Sequence, residues 1–222
     1  MNIQENLNYI KSRVPKHITL VAVSKTKPVT DLMEAYHAGQ RIFGENKIQE
    51  MAEKYEIMPK DIEWHMIGHV QSNKVKYMAS FVSLIHGVDN FKLLEEINKQ
   101  AKKHDRVINC LLQIKIALED SKFGMTFVEA SEVLKSEAFL QLKNIQVVGV
   151  MGMATFTENE NQIKKEFTLL KTFFDSLKSY ESINFKPETI SMGMSSDYVL
   201  AISCGSTMIR VGSSIFGERN YN

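Results

Sequence analysis

Short apolar runs recur along the chain, each followed by a stretch whose apolar residues are spaced three and four apart. The runs predict strands over residues 18–24, 41–43, 62–67, 81–85, 107–114, 147–151, 189–192 and 208–211. The intervening stretches predict helices over residues 31–37, 47–58, 73–79, 91–104, 127–137, 161–180 and 196–203, and one more over residues 5–13 precedes the first strand. Phe91, Leu94 and Ile97 share one helical face, as do Phe167, Leu170, Phe174 and Leu177. Nearly continuous apolar strands that alternate with helices indicate a parallel sheet buried on both sides. Eight repeats favour a closed (β/α)8 barrel with an extra N-terminal helix over an open doubly wound sheet. No GxGxxG and no GxxxxGK[ST] follows a strand, so the open alternative has no motif behind it.

Composition narrows the class. A chain of 222 residues that is 44% hydrophobic can bury a sizeable core, and no Gly/Ser- or Pro-rich linker divides it. A single domain over residues 1–222 is expected. Lys and Arg number 27 against 26 Asp and Glu, for a net charge of +1. That balance argues against a nucleic-acid or membrane-surface binder and gives no sign of a large interface, so a monomer is expected. No apolar run approaches the roughly 18 residues of a membrane span, and the N-terminus has no secretory h-region. Cys110 and Cys204, both in apolar stretches, read as buried free thiols of a cytoplasmic protein.

Candidate chemistry crowds one end of the predicted strands, the end where barrels carry their sites. Ser24-Lys25-Thr26-Lys27, Gly44-Glu45-Asn46-Lys47, Gly68-His69, His86-Gly87 and Gly193-Met194-Ser195-Ser196-Asp197 each follow a strand; Arg210 lies in the eighth, before Gly212-Ser213-Ser214. Lys60-Asp61 and Lys103-His104-Asp105, at the other end, read as solvated turns. A desolvated lysine loses proton affinity and becomes a nucleophile toward carbonyls, and Lys25 ends a strand pattern; the plain alternative is a solvated turn lysine. Ser195 reads as a helix cap and, with Gly212 and Ser213, as part of a phosphate cradle after strands seven and eight, or as capping alone. Arg210, in an apolar strand, needs a partner: Glu45 within the barrel, or a ligand. In a closed barrel Lys25 and Arg210 are neighbours. Two cations beside a phosphate cradle suit an anion with an electrophilic carbon, and pyridoxal 5'-phosphate has both features.

Other chemistries lack support. His65 and His69 lie roughly 13 Å apart if extended, too far to share a metal, and HExxH, CxxC and GxSxG are absent. Met151, Met153, Phe173 and Phe174 read as core.

Taken in order, LVAVSKTKP, RIFGENKIQE, IEWHMIGHVQSNK, SMGMSSDY and GSTMIRVGSSIFGERNY resemble the pyridoxal phosphate homeostasis protein family, related to the N-terminal barrel of alanine racemase. The resemblance spans residues 20–221. It implies a single (β/α)8 barrel holding pyridoxal phosphate as a Schiff base on Lys25. It further implies Arg210 facing the pyridine nitrogen, Ser195, Gly212 and Ser213 holding the phosphate, and Met194 among the cofactor-binding residues. Asn46, Met66, Ile67 and Gly68 would line the ring. One departure is Lys115 in Gln113-Ile114-Lys115, where the family often has Asn; it adds a cation near the mouth.

The expected function is therefore binding, buffering or delivery of pyridoxal phosphate in vitamin B6 metabolism, without turnover, with apoenzymes of that cofactor as candidate partners. An arginine on the ring nitrogen leaves it unprotonated and weakens the cofactor as an electron sink. Racemases of the related fold draw a second base from a C-terminal domain, for which the chain after the barrel leaves no room. The alternatives are an amino-acid racemase or related enzyme using Tyr198, Lys27 or His69 as second base, and a phosphate-sugar barrel enzyme.

Overall fold

The computed structural model describes residues 2–118 and 123–218. Within it the apolar runs become β1 (Thr19–Val23), β2 (Ile42–Glu45), β3 (Glu63–Met66), β4 (Leu84–Val88), β5 (Ile108–Ile114), β6 (Ile145–Gly152), β7 (Phe185–Ser191) and β8 (Met208–Val211). Neighbours in sequence pair in parallel, and β8 returns to β1 with Val21 opposite Arg210, closing the barrel. The helices are α1 (Ile3–Arg13), α2 (Val29–His37), α3 (Ile48–Ile57), α4 (Phe91–Lys103), α5 (Phe127–Lys135), α6 (Glu137–Leu140), α7 (Glu160–Ser176), α8 (Tyr198–Ser203) and α9 (Ser213–Phe216). Short 3-10 segments occupy Ser72–Tyr77 and Leu177–Tyr180.

Local chemistry explains where the elements depart from expectation. The helix expected over residues 127–137 breaks at Ser136, whose hydroxyl accepts from the Phe139 amide and caps α6. The strand expected over residues 81–85 starts later, because Phe81 and Val82 still donate to the Met78 carbonyl in the preceding turn. His86 therefore belongs to β4 rather than to the loop after it. β2 likewise runs on to Glu45, and β7 begins at Phe185.

Side-chain parity along the strands divides the interior into two layers. Val21, Leu84, Leu111, Met151 and Met208 come from five different strands and meet inside the barrel. The larger cluster lies outside it, where Ala22, Phe43, Trp64, Ile85 and Ile209 pack under helix residues such as Leu32, Met51 and Leu94. Met66 has this outward parity and is fully buried there. Its side chain therefore lies in the barrel–helix layer and not at the mouth. Met151, Phe173 and Phe174 are core as expected, but Met153 is half-buried at the mouth. Cys110 is buried, whereas Cys204, on the outer end of α8, is only half-buried; both are free thiols.

Candidate functional site at the barrel mouth

One cavity of about 420 Å³ opens at the C-terminal ends of the strands, lined by residues that include Lys25, Asn46, Met194, Ser195, Arg210, Gly212 and Ser213. Those seven were all singled out from the sequence. Ile67 also lines it; Met66 and Gly68 do not. Gly68 acts one step back: a Cβ there would fall 2.4 Å from the Asn46 carbonyl oxygen, so glycine lets this loop press against the Asn46 backbone. Val23, Lys27, Met153, Phe156, Ser196 and Gly217 complete the wall. Lys25, Lys27 and Arg210 are cationic and no lining residue is acidic, so the cavity suits an anion.

The turn that carries Lys25 is held from both sides. β1 ends at Val23, and Lys25 lies two residues beyond it, half-buried. Thr26 has φ of +64°, an unfavourable conformation for a β-branched residue. Its amide donates to Glu50 Oε1 at 2.6 Å. Lys54 Nζ donates to the Ser24 carbonyl at 2.9 Å, and to Glu45 Oε1 and Glu50 Oε1 at 2.8 Å each. The Ser24 hydroxyl also donates to Glu45 Oε1, at 2.6 Å. Burial pushes the Glu45 carboxyl up, against the pull of Lys54. Of the two partners the sequence offered Arg210, Glu45 does not pair with it, because Glu45 shares the outward parity of Phe43 and meets α3 instead.

Arg210 points inward from β8 and is 4% exposed. Its Nη1 donates to the Ser191 carbonyl at 2.9 Å and to Ser191 Oγ at 2.6 Å, and its Nη2 to the Gly152 carbonyl at 3.3 Å. Burial lowers its proton affinity to about 10, still charged at neutral pH. Deeper in the barrel, His86 Nδ1 lies 3.0 Å from Ser191 Oγ and His86 Nε2 lies 3.0 Å from His65 Nδ1. Burial pushes His65 down to about 3 and His86 well below its usual value, so both rings are neutral. Sequence reading passed over this chain. Its signal is polar residues at the inward positions of otherwise apolar strands, in EWHM and LIHGV.

At the seam between β7 and β8 the polar groups face each other. Ser195 is not a helix cap: its hydroxyl accepts from the Gly212 amide at 3.1 Å, while α8 begins only at Tyr198. Asp197 Oδ1 instead accepts from the Met194 amide at 2.5 Å. Burial raises the Asp197 carboxyl. The amides of Ser213 and Ser214 begin α9 and have no intrahelical acceptor. Lys27 Nζ donates to the carbonyls of Phe216 and Glu218, 2.8 Å each.

The three candidate second bases are engaged elsewhere. Lys27 carries those two bonds, Tyr198 is buried in the outer core, and His69 stacks on Phe123 at 4.7 Å with its Nδ1 3.3 Å from Asp89. Lys115 is half-buried and does not line the cavity; its amide bonds the Met125 carbonyl. Arg219, Asn220 and Tyr221, the end of the last motif, lie outside the described residues.

With this geometry in hand, comparison with known proteins is decisive. The family model of the alanine racemase N-terminal domain matches residues 1–220. The pyridoxal phosphate homeostasis protein of Haemophilus influenzae is 36% identical over 236 residues, covering 100% of this chain and 98% of the relative. This chain belongs to the pyridoxal phosphate homeostasis protein family. Among solved structures, PipY of Synechococcus elongatus without PLP superposes with a TM-score of 0.90 at 35% identity, covering 97% of this chain and 100% of that one. PipY with PLP bound gives 0.87 at 33% identity over the same shares. Alanine racemase of Clostridium difficile 630 in complex with cycloserine shares the fold at a TM-score of 0.80 and 15% identity, covering 100% of this chain and 60% of that one.

Proposed function

We propose that this protein binds pyridoxal phosphate at the barrel mouth, with Lys25 carrying it as a Schiff base, and that it holds or delivers the cofactor without turning over a substrate. The observation that carries the reading is the placement of Lys25, Arg210 and the Ser195–Gly212–Ser213 seam on one cavity. Membership of the family and the likeness to PLP-bound PipY support it. The residues present fit the molecule. The cavity lies within the roughly 300–1,000 Å³ of small-molecule sites. The first amides of α9, which have no intrahelical acceptor, and the Ser195 and Ser213 hydroxyls suit a phosphate, and a buried guanidinium suits a ring nitrogen that only accepts.

When bound, the cofactor supplies an aldehyde that condenses with an amine. The protein's residues do the rest. The Glu50–Lys54–Glu45 network fixes the backbone on either side of Lys25 and so aims its amine into the cavity. Ile67, on the wall beside Asn46, covers an apolar surface. Arg210 can donate a hydrogen bond but not surrender a proton at neutral pH, so it leaves a ring nitrogen unprotonated and the cofactor a poor electron sink. The engagement of Lys27, Tyr198 and His69 supports the absence of turnover.

The reading extends to a single-domain monomer in a reducing cytoplasm, consistent with two free thiols, with apoenzymes as possible recipients. Among the described residues no helix is long and apolar enough to cross a membrane.

The test is spectroscopic. The protein loaded with pyridoxal phosphate should be yellow, and borohydride reduction followed by peptide mass spectrometry should place the adduct on Lys25. A protein that stays colourless with added cofactor overturns the reading. Incubation of the loaded protein with alanine or serine in deuterated water should give no stereospecific α-proton exchange at enzyme-like rates; such exchange would restore the racemase alternative. Light scattering checks the monomer.

A further inference from the structure

Arg210 is the end of a hydrogen-bond chain whose direction can be worked out atom by atom. Guanidinium donates and never accepts. Nη1 of Arg210 therefore donates to Ser191 Oγ, at 2.6 Å. The serine hydroxyl must place its own hydrogen elsewhere, and its partner for that among the described residues is His86 Nδ1, at 3.0 Å. His86 Nδ1 is then an acceptor, so a neutral His86 carries its proton on Nε2. That N–H donates to His65 Nδ1 at 3.0 Å, which puts the proton of neutral His65 on its own Nε2. Reversing both imidazole links would leave the buried Ser191 hydroxyl hydrogen without an acceptor among the described residues, and reversing one alone would set two lone pairs face to face or leave His86 without a proton. The chain runs one way, from the charged guanidinium inward to the apolar floor of Val21, Leu84 and Met208.

We propose that Ser191, His86 and His65 are positioning residues for Arg210: a directed, neutral relay that fixes the guanidinium plane toward the cavity. The inference rests on the function proposed above only for what Arg210 then faces. The geometry explains why polar groups are buried in the barrel at all. Two neutral imidazoles and a hydroxyl cost less to bury than a carboxylate. A carboxylate at that place would pair with Arg210 across its forward edge and take the donor away from the cavity. The Ser191 carbonyl and the Gly152 carbonyl hold the rest of the guanidinium, so the relay supplies the remaining side-chain anchor.

Two kinds of measurement test this on the full chain. In the ligand-free wild type, nitrogen-15 NMR should show His86 and His65 neutral at pH 7, each protonated on Nε2. Detection of His86 protonated on Nδ1 would overturn the proposal whatever the protein binds. The guanidinium resonances of Arg210, assigned with Arg210→Lys, should shift in Ser191→Ala and in His86→Phe; no change in either variant would overturn it too. In the loaded protein, His86→Phe should weaken pyridoxal phosphate binding by about tenfold or more, the scale of a lost hydrogen bond to a charged group. It should also move the visible absorption band. His86→Gln, whose amide can accept from Ser191 and donate to His65, should restore both. If Gln behaves like Phe although both fold, the ring filled space and did not position Arg210. Failure of cofactor binding in the wild type would leave the NMR arm standing, so the two ideas fail separately.

Discussion

Lys25 owes its role to its surroundings more than to its strand. The strand pattern stops at Val23, and the lysine rides on a turn whose next residue, Thr26, has a left-handed backbone. Such a conformation persists only when its neighbours over-determine it, and here Glu50 takes the Thr26 amide while Lys54 takes the Ser24 carbonyl. Lys25→Ala should abolish the visible band of the loaded protein and leave thermal stability nearly unchanged, checked by absorption and calorimetry. Arg210→Glu should shift that band toward the form with a protonated ring nitrogen; an unshifted band would mean that residue 210 does not face the ring. The sequence exposed these residues because each is out of character with its context: an amine at a strand end, a guanidinium within an apolar strand, serines and glycines after strands seven and eight. Met66 departs from its expected place for a physical reason, since its neighbour Ile67 reaches the mouth while its own parity turns it outward. The supporting shell was not legible. Lys54 and Glu50 sit on an amphipathic helix where charge is ordinary, and only the fold reveals that Lys54 is buried and Glu50 half-buried.

At the scale of elements, α3 is the bracket that holds the Lys25 turn. Lys54 is 6% exposed and Glu45 fully buried, so the pair cannot fall back on water. Removing one partner strands the other. Lys54→Met should therefore cost about 3–5 kcal/mol in denaturant unfolding and weaken cofactor affinity with it. Replacing both together, Lys54→Met with Glu45→Leu, should recover most of the stability and little of the affinity. β6 carries a comparable constraint of pure sterics. Gly149 has φ of +151°, and a Cβ there would lie 1.8 Å from the Thr189 carbonyl oxygen of β7. Gly149→Ala should destabilise by more than the roughly 1 kcal/mol typical of point substitutions, measured the same way. Alternation of apolar runs announced all eight strands, but their ends were blurred wherever a polar residue is buried. Glu45 and His86 read as loop because carboxylates and imidazoles usually stop a strand pattern; each is inside one because a partner across the layer receives it.

For the molecule as a whole, the buried histidines set a lower bound on working pH. His65 is pushed down to about 3 and His86 well below its ordinary value, both by burial. In the unfolded chain both take up a proton near pH 6.5, while in the fold they stay neutral. The unfolded state then binds more protons, so stability falls as pH drops below about 6.5, by up to ~1.4 kcal/mol per pH unit for each ring still neutral in the fold, a loss that for His65 continues down to about 3. Urea midpoints measured between pH 7 and 5 should fall in the wild type, and fall less steeply in His86→Phe. Closure of the barrel was predictable from eight repeats. The way its two ends lock was not, because it depends on Asn6 donating to the Ile215 carbonyl and Lys27 to the Phe216 carbonyl across the full length of the fold.

The mouth cavity straddles the seam where β1 meets β8, with Lys25 from one side and Gly212 and Ser213 from the other. During synthesis those two walls leave the ribosome far apart in time. A growing chain that has exposed its lysine still lacks the guanidinium and the serines that would hold an aldehyde beside it. On the function proposed above, capture would wait on release of the eighth strand, and a stalled or truncated polypeptide would lack the built site that draws on the cell's supply.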